Sequence, residues 1–476
     1  MRQRMRTIQQ SERVSGLYGL LALLVTLHYL IVYAERYLIW TGHEPLFNGL
    51  RVVHALLIVL LLLLCVLKLR RGMPPEFWLL AAFCGWVLIT RVINRDYTLY
   101  GSLYFSAVCF AVFAVGNYLT PEQRRRLLIT FSAVTGAYLF FLSVWGLVIW
   151  FGGSDAFPTV AAFISKNPFS KIKDIVFFNT THNMSAAWFL VSLFLSAYVW
   201  TETKERFWHV LLAVHMALML VMIALLHCRS IQVACSIGSG MLAALYVLPR
   251  LREKKLAVRS TAIVLTALFG LLICFEAISL CGDLFAKGMK ISQREWDTYY
   301  TEQAEKGNPL QAQSAAPGVS SSSDSRSFLH DALTLTERTL IWEAAFKLAG
   351  EDAHAALFGQ AEEHMMDAVN ARGNYKEVKQ HTHNMVIQAL VLTGIPGALL
   401  LIAFVMLQLV RMIRAYFDMT GRIGMEHKVL LVLQAVLLLY GMAEVLLSRL
   451  VGFASVSFLL SGGIFTEIER EAFQSQ

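Results

Sequence analysis

The run His381-Thr382-His383-Asn384 is followed, after nine residues, by Gly394 and, after two more, by Gly397. An imidazole that is neutral near pH 7 can take a proton from a hydroxyl as its oxygen forms a new bond. His383 is therefore the candidate base, with His381 as an accessory. Asn384 suits the N-cap of the helix that follows, and the two glycines allow a neighbouring helix to approach closely. Further along the chain Arg338 and Trp342 stand four residues apart, on one face of a helix. Arg229 and the pair His182-Asn183 each open an apolar run, and Glu444 lies near the end of another. An acid inside a membrane span is a functional candidate by default, the alternative being a pair with Arg449 or another basic residue. His381 and His383 lack a carboxylate at ligand spacing, and Glu362, Glu363 and His364 read as an exposed helical stretch. Neither a metal nor a cofactor is expected.

The elements that must position these groups are helices in a membrane. Of 476 residues, 57% are hydrophobic and only 16% charged, and the mean hydropathy is +0.56. Soluble domains carry about 25% charged residues, so a large cytosolic enzyme is excluded, and so is disorder over most of the length. The expected fold class is all-α, a polytopic helical bundle of about twelve spans near 14–34, 50–69, 77–94, 99–119, 127–151, 185–201, 207–227, 230–248, 260–281, 385–409, 429–447 and 450–466. The last two, separated by Ser448 and Arg449, read as a tight hairpin. The first is too long for a cleavable signal.

Basic residues fall in alternate loops, among them Arg124 to Arg126, Arg250 to Arg259 and Arg411 to Lys428. The positive-inside rule then puts both termini in the cytoplasm. Topology thereby accounts for most of the net charge of +8, and a nucleic-acid partner is not required. The seven cysteines lie in or at the ends of spans and read as buried apolar residues, with a Cys228–Cys281 disulfide left open. His28 and His54 read as buried, hydrogen-bonded side chains.

This reading divides the chain into residues 1–281, holding nine spans and an outer loop at 152–184; residues 282–384, a large outer loop; and residues 385–476, three spans and a short cytoplasmic tail. Within the large loop, 308–327 is a Ser/Ala/Gln-rich flexible linker. A capping box at Thr334 to Glu337 then introduces a helix that ends at Gly350.

The motif from His381 to Gly397, opening a span after a long outer loop, resembles the signature of the O-antigen ligase and O-antigen polymerase superfamily of bacterial membrane glycosyltransferases. The likeness extends to Arg338-x-x-x-Trp342, Leu357-Phe358-Gly359, Arg229-Ser230 and His182-Asn183. It implies a glycan donor carried on undecaprenyl pyrophosphate. Arg229 and Arg338 would hold the pyrophosphate, and His383 would activate a hydroxyl acceptor, without a metal. The fixed charge and planar donor fork of arginine suit such a leaving group. The acceptor would be a lipid A-core sugar in a ligase, a lipid-linked repeat in a polymerase, or a Ser or Thr in a protein glycosyltransferase. Surface-polysaccharide assembly at the outer face of the inner membrane comes first. The non-enzyme rival is a lipid-linked oligosaccharide flippase, which calls for polar residues through the midplane and two related halves; here the polar residues gather at one boundary. A receptor is disfavoured because no cytoplasmic domain is evident.

The topology is checked by single-cysteine labelling of intact cells. Ser320→Cys is expected to react from outside and Arg125→Cys only after permeabilisation; the reverse pattern would overturn the orientation.

Overall fold

A computed structural model describes residues 19–25, 44–68, 73–96, 99–152, 182–226, 228–247, 256–287, 338–373, 381–416, 424–447 and 453–474. Among them there are helices and no strand, as expected for an all-α bundle. The expected outer loop 152–184 (beyond its ends), the linker, the Thr334–Glu337 capping box, His28, Arg449 and most of the first span lie outside the described residues.

The helices are α1 (Glu44–Lys68), α2 (Pro75–Ile93), α3 (Leu99–Gly116), α4 (Pro121–Gly152), α5 (His182–Glu202), α6 (Arg206–Leu226), α7 (Arg229–Val247) and α8 (Leu256–Lys287). Three short helices follow, α9 (Arg338–Ala349), α10 (Ala353–Phe358) and α11 (Glu362–Asn370), then α12 (Met385–Tyr416), α13 (Met425–Ala443) and α14 (Phe453–Gln474). Six described helices are long and apolar enough to cross a membrane, in α2, α4, α6, α7, α8 and α12, and three shorter apolar helices lie in α1, α3 and α13. The described helix of α14 continues past the expected span end at 466 to Gln474, so the expected tail is helical over that stretch.

Helix α5 is buried along most of its length, and α13 and α14 pack around it. By contrast α8 rests on α6 and α7 and leaves most of its apolar side chains exposed. A helix that is apolar all round and exposed belongs in lipid. Polar side chains join the inner helices: Gln434 donates to Gln408 at 2.8 Å, and Gln408 to Thr466 at 3.1 Å. Such bonds hold helices together where water offers no alternative partner. Elsewhere in the bundle His54 is buried against the Tyr104 hydroxyl, as expected for a structural histidine.

The ends of the bundle differ. At one end Arg411 joins Glu76 and Glu469, while Arg124 pairs with Glu471 at 2.6 Å. Thus part of the basic charge read as loop charge lies between helix ends, Arg124 buried and Arg411 half-buried. Breaking such a pair strands a buried charge and costs several kcal/mol, roughly 3–5.

At the other end α9, α10 and α11 form a small cap. Ile341, Ala344, Ala345 and Leu348 of α9 and Met365 and Val369 of α11 share a core with Ile387, Val391 and Leu392 of α12. Arg372, just past α11, bonds Glu351 between α9 and α10, and this bond draws the Glu351 carboxyl below its ordinary value. The cap is fastened to α2 by ions. Arg91 is 1% exposed and pairs with Asp96 at 2.5 Å and with Glu362 at 3.2 Å, while its Nε donates to Ser102. Glu362 is therefore not part of an exposed stretch, as its sequence suggests; it is a half-buried partner of the buried Arg91. Glu363 and His364 are exposed.

The expected span at 385–409 lies within α12, which is interrupted at Gly394. Gly394 has φ +68° and ψ −173°, and Pro396 follows two residues later. Proline removes a helical N–H, and the carbonyls near the break find other donors. Trp86 Nε1 donates to the Thr393 carbonyl at 2.8 Å, and the Gln360 N–H donates to the Val391 carbonyl at 2.8 Å. The remaining 395–416 segment is about 33 Å long at the helical rise, enough for a span by itself. The break meets the turn after α10, where Gly359 also has φ +68°. A Cβ on Gly394 would come within 2.5 Å of the Leu357 carbonyl, and one on Gly359 within 2.5 Å of the Val391 carbonyl. Leu357-Phe358-Gly359 and Gly394 are therefore two sides of one backbone contact. Gly397 is tightly enclosed as well, by Thr393 and Trp86.

Gly394→Ala should lower thermal stability in detergent by about 2 kcal/mol or more, since both the left-handed backbone and the close approach oppose it. Gly85→Ala, in α2 with open space around it, should be neutral or gain up to about 1 kcal/mol. Equal melting temperatures for the two variants would contradict the contact.

Candidate functional site

The site is built where three helix ends meet: the start of α9, the start of α12 and the end of α13. Asn384 caps α12, its Oδ1 accepting from the Val386 N–H at 2.9 Å and the Ile387 N–H at 3.1 Å. Its Nδ2 donates to the Met442 carbonyl at 2.9 Å, which ties the cap to α13. This is the structural role expected of Asn384, with an added link between helices.

Thr382 is fully buried, and all its polar groups are engaged. Its N–H and hydroxyl both reach Gln388 Oε1, at 3.1 and 3.0 Å, and its carbonyl accepts from Trp342 Nε1 at 2.9 Å. Gln388 in turn donates to Met365 Sδ of α11 at 3.0 Å. His381 and His383 flank this fixed residue, their ring centroids 3.9 Å apart. His383 has φ +54°, an αL conformation costing about 1–3 kcal/mol that persists only when its surroundings impose it. Thr382 on one side and Asn384 on the other supply that constraint.

Glu444 follows the last residue of α13 and is 4% exposed. Its carboxylate lies 3.2 Å from His383 Nδ1 and 3.4 Å from Arg338 Nη2. Arg338 also donates from Nη1 to the Ala443 carbonyl at 2.9 Å. The charge of the buried Glu444 carboxylate is met by His383 on one side and Arg338 on the other. In the tautomer that donates from Nδ1 to the Glu444 carboxylate, His383 would keep Nε2 as an acceptor. The same arrangement orients the imidazole of hydrolytic triads. Thus Glu444 pairs with His383 and Arg338.

Cys228 sits beside this group. Burial pushes its thiol up against a hydrogen bond from Ser230, and the charges of Glu444 and Arg338 reach it with opposite effects. Arg229 is the next residue; it opens α7 and is exposed. Cys228 and Cys281 are both free thiols, so the disulfide left open by the sequence is not formed. His182 and Asn183 begin α5 as expected; their side chains lie outside the described ones.

His381, His383 and Glu444 place one ligand atom each within 4.8 Å of one another, a spacing that could hold a metal ion. The carboxylate that the local sequence lacks is thus supplied from 61 positions away. Sequence reasoning also missed Gln388 and the Arg91–Asp96–Glu362 cluster. The available signals were a glutamine within the apolar run Val386 to Leu392 and an arginine near the end of a span.

Residues 214–402 match the protein-family model described as O-antigen ligase. This segment resembles the O-antigen ligase family, and the match supports membership of the O-antigen ligase superfamily. The match spans less than half the chain and takes in Arg229, Arg338, Trp342, His381, His383, Asn384, Gly394 and Gly397; His182, Asn183 and Glu444 lie outside it. The comparisons with curated proteins and with solved structures gave no match.

Proposed function

We propose that this O-antigen ligase-like protein transfers a glycan from undecaprenyl pyrophosphate to an acceptor hydroxyl at the outer face of the inner membrane, in surface-polysaccharide assembly. The observation that carries the reading is the grouping of His383, Glu444 and Arg338 in a chain that resembles this superfamily.

Nε2 of His383 takes the proton of the acceptor hydroxyl as its oxygen attacks the anomeric carbon. The bond from that carbon to the pyrophosphate oxygen breaks on the opposite face, so the anomeric configuration inverts. Undecaprenyl pyrophosphate departs carrying the bonding electron pair, and the proton passes from His383 to solvent. Arg229 and Arg338 stabilise the charge that grows on the leaving group, where pre-oriented cations act most strongly. Glu444 keeps the imidazole in the accepting tautomer and stabilises it once protonated. A general base of this kind contributes roughly 10²–10⁴-fold.

Transfer in this reading needs no metal. The Arg338 guanidinium, 3.4 Å from Glu444, occupies the carboxylate that a divalent cation would need, and like charges at that range repel.

The test is mass analysis of products from purified protein, a defined undecaprenyl-pyrophosphate-linked glycan and three acceptors: lipid A-core, a lipid-linked repeat and a Ser/Thr peptide. Glycan is expected on lipid A-core, undiminished by EDTA, and lost in His383→Ala. Arg229→Lys and Arg338→Lys should each lose at least tenfold although charge is kept. Transfer that needs an added divalent ion, or full activity in His383→Ala, would contradict the mechanism. Movement of the lipid-linked glycan across vesicles without any product would favour a flippase.

A further inference from the structure

We propose that the exposed face of α9 is a platform for the pyranose rings of the donor glycan. This rests on the glycan-transfer reading and adds the place where the sugars lie.

Arg338, Trp342 and Phe346 stand at i, i+4 and i+8 of α9 and so form one row along the helix. At the helical rise the row is about 12 Å long, room for a short run of sugar rings. It begins at the site, because Arg338 touches Glu444 and the Ala443 carbonyl. Its second member is fixed there too, since Trp342 Nε1 donates to the carbonyl of Thr382, the residue before His383. The third, Phe346, is 57% exposed. Beside this row runs a polar one, Thr339, Glu343 and Lys347, in which Glu343 and Lys347 pair at 2.7 Å. Thr339, Trp342, Glu343, Phe346 and Lys347 line a shallow cleft of about 550 Å³.

The two rows match the two sides of a pyranose. Its C–H face packs on an aromatic ring, and its hydroxyl rim bonds charged and hydroxyl side chains; sites of this kind combine aromatic walls with a few placed polar groups. Trp342 is half-buried and packs against the cap's core of Ile341, Ala344, Ala345 and Leu348, whereas Phe346 stays outside that core and exposed. The donor is favoured over the acceptor because the row starts at Arg338, assigned above to the pyrophosphate, and the donor glycan leaves from that group.

The test uses purified full-length protein, a fixed acceptor and two donors: undecaprenyl pyrophosphate carrying one N-acetylhexosamine, and the same lipid carrying that sugar extended by two hexoses. Phe346→Ala should raise KM for the longer donor about tenfold and leave kcat, and KM for the single-sugar donor, within twofold. Phe346→Trp should restore the wild-type KM. Calorimetric binding of the free trisaccharide should weaken in Phe346→Ala by a similar factor, a readout that requires no turnover. A KM unaffected by Phe346→Ala for both donors, together with unchanged trisaccharide binding, would overturn the platform. A defect that follows acceptor length and not donor length would overturn its assignment to the donor. If no donor gives product in wild-type protein but trisaccharide binding still depends on Phe346, the transfer reading fails and the platform stands.

Discussion

The carboxylate of Glu444 is shared between an imidazole and a guanidinium, and the arrangement of this end of the molecule depends on that sharing. A buried carboxylate is costly unless its charge is met and its lone pairs are bonded. His383 and Arg338 meet both conditions, and in doing so draw α12 and α9 to the end of α13. The same ion pair that stabilises the meeting of helices orients the His383 imidazole in the proposed mechanism. Structure and chemistry are thus coupled at one residue, and a change to Glu444 acts on both.

The supporting parts follow from this need. His383 holds an αL backbone, which requires fixed neighbours on both sides. Thr382 is fixed by Gln388 and Trp342, and Asn384 by the helix it caps and by Met442. Gln388 and Trp342 in turn require that α11 and α9 be held against the first turns of α12. The contact of Gly359 with Gly394 and the Arg91–Asp96–Glu362 cluster provide that hold. The break in α12 therefore has a purpose in the fold: it lets the segment from Met385 to Thr393 belong to the cap while the rest of the helix crosses the bundle.

Much of this was legible in the sequence because it depends on short spacing. The His-Thr-His-Asn run, the capping asparagine, the helix ending at Gly350 and the apolar helices are local features, and local periodicity reports them. Arg338 and Trp342 were legible as a pair, though not their partners, Glu444 and the Thr382 carbonyl. Glu444 was visible only as an acid near the end of a span, because its imidazole partner is 61 positions away. For the same reason the His381, His383 and Glu444 cluster could not be read from ligand spacing. The break at Gly394 did have a local signal, Gly394 followed by Pro396, but the continuous apolar run around it reads as one span. Glu362 beside Glu363 and His364 reads as a solvated face, and only the fold brings Arg91 to it.

The central claim is that His383 and Glu444 act as one unit. A double-mutant cycle on the transfer rate tests it most directly, with Glu444→Gln, His383→Ala and the double variant compared by radiolabelled glycan incorporation. Residues of one catalytic unit are strongly non-additive. Glu444→Gln is expected to slow transfer by the otherwise wild-type protein about 10²-fold and to cost almost nothing further once His383 is alanine. Equal losses in both backgrounds would show that the carboxylate acts apart from the imidazole, and would contradict the account.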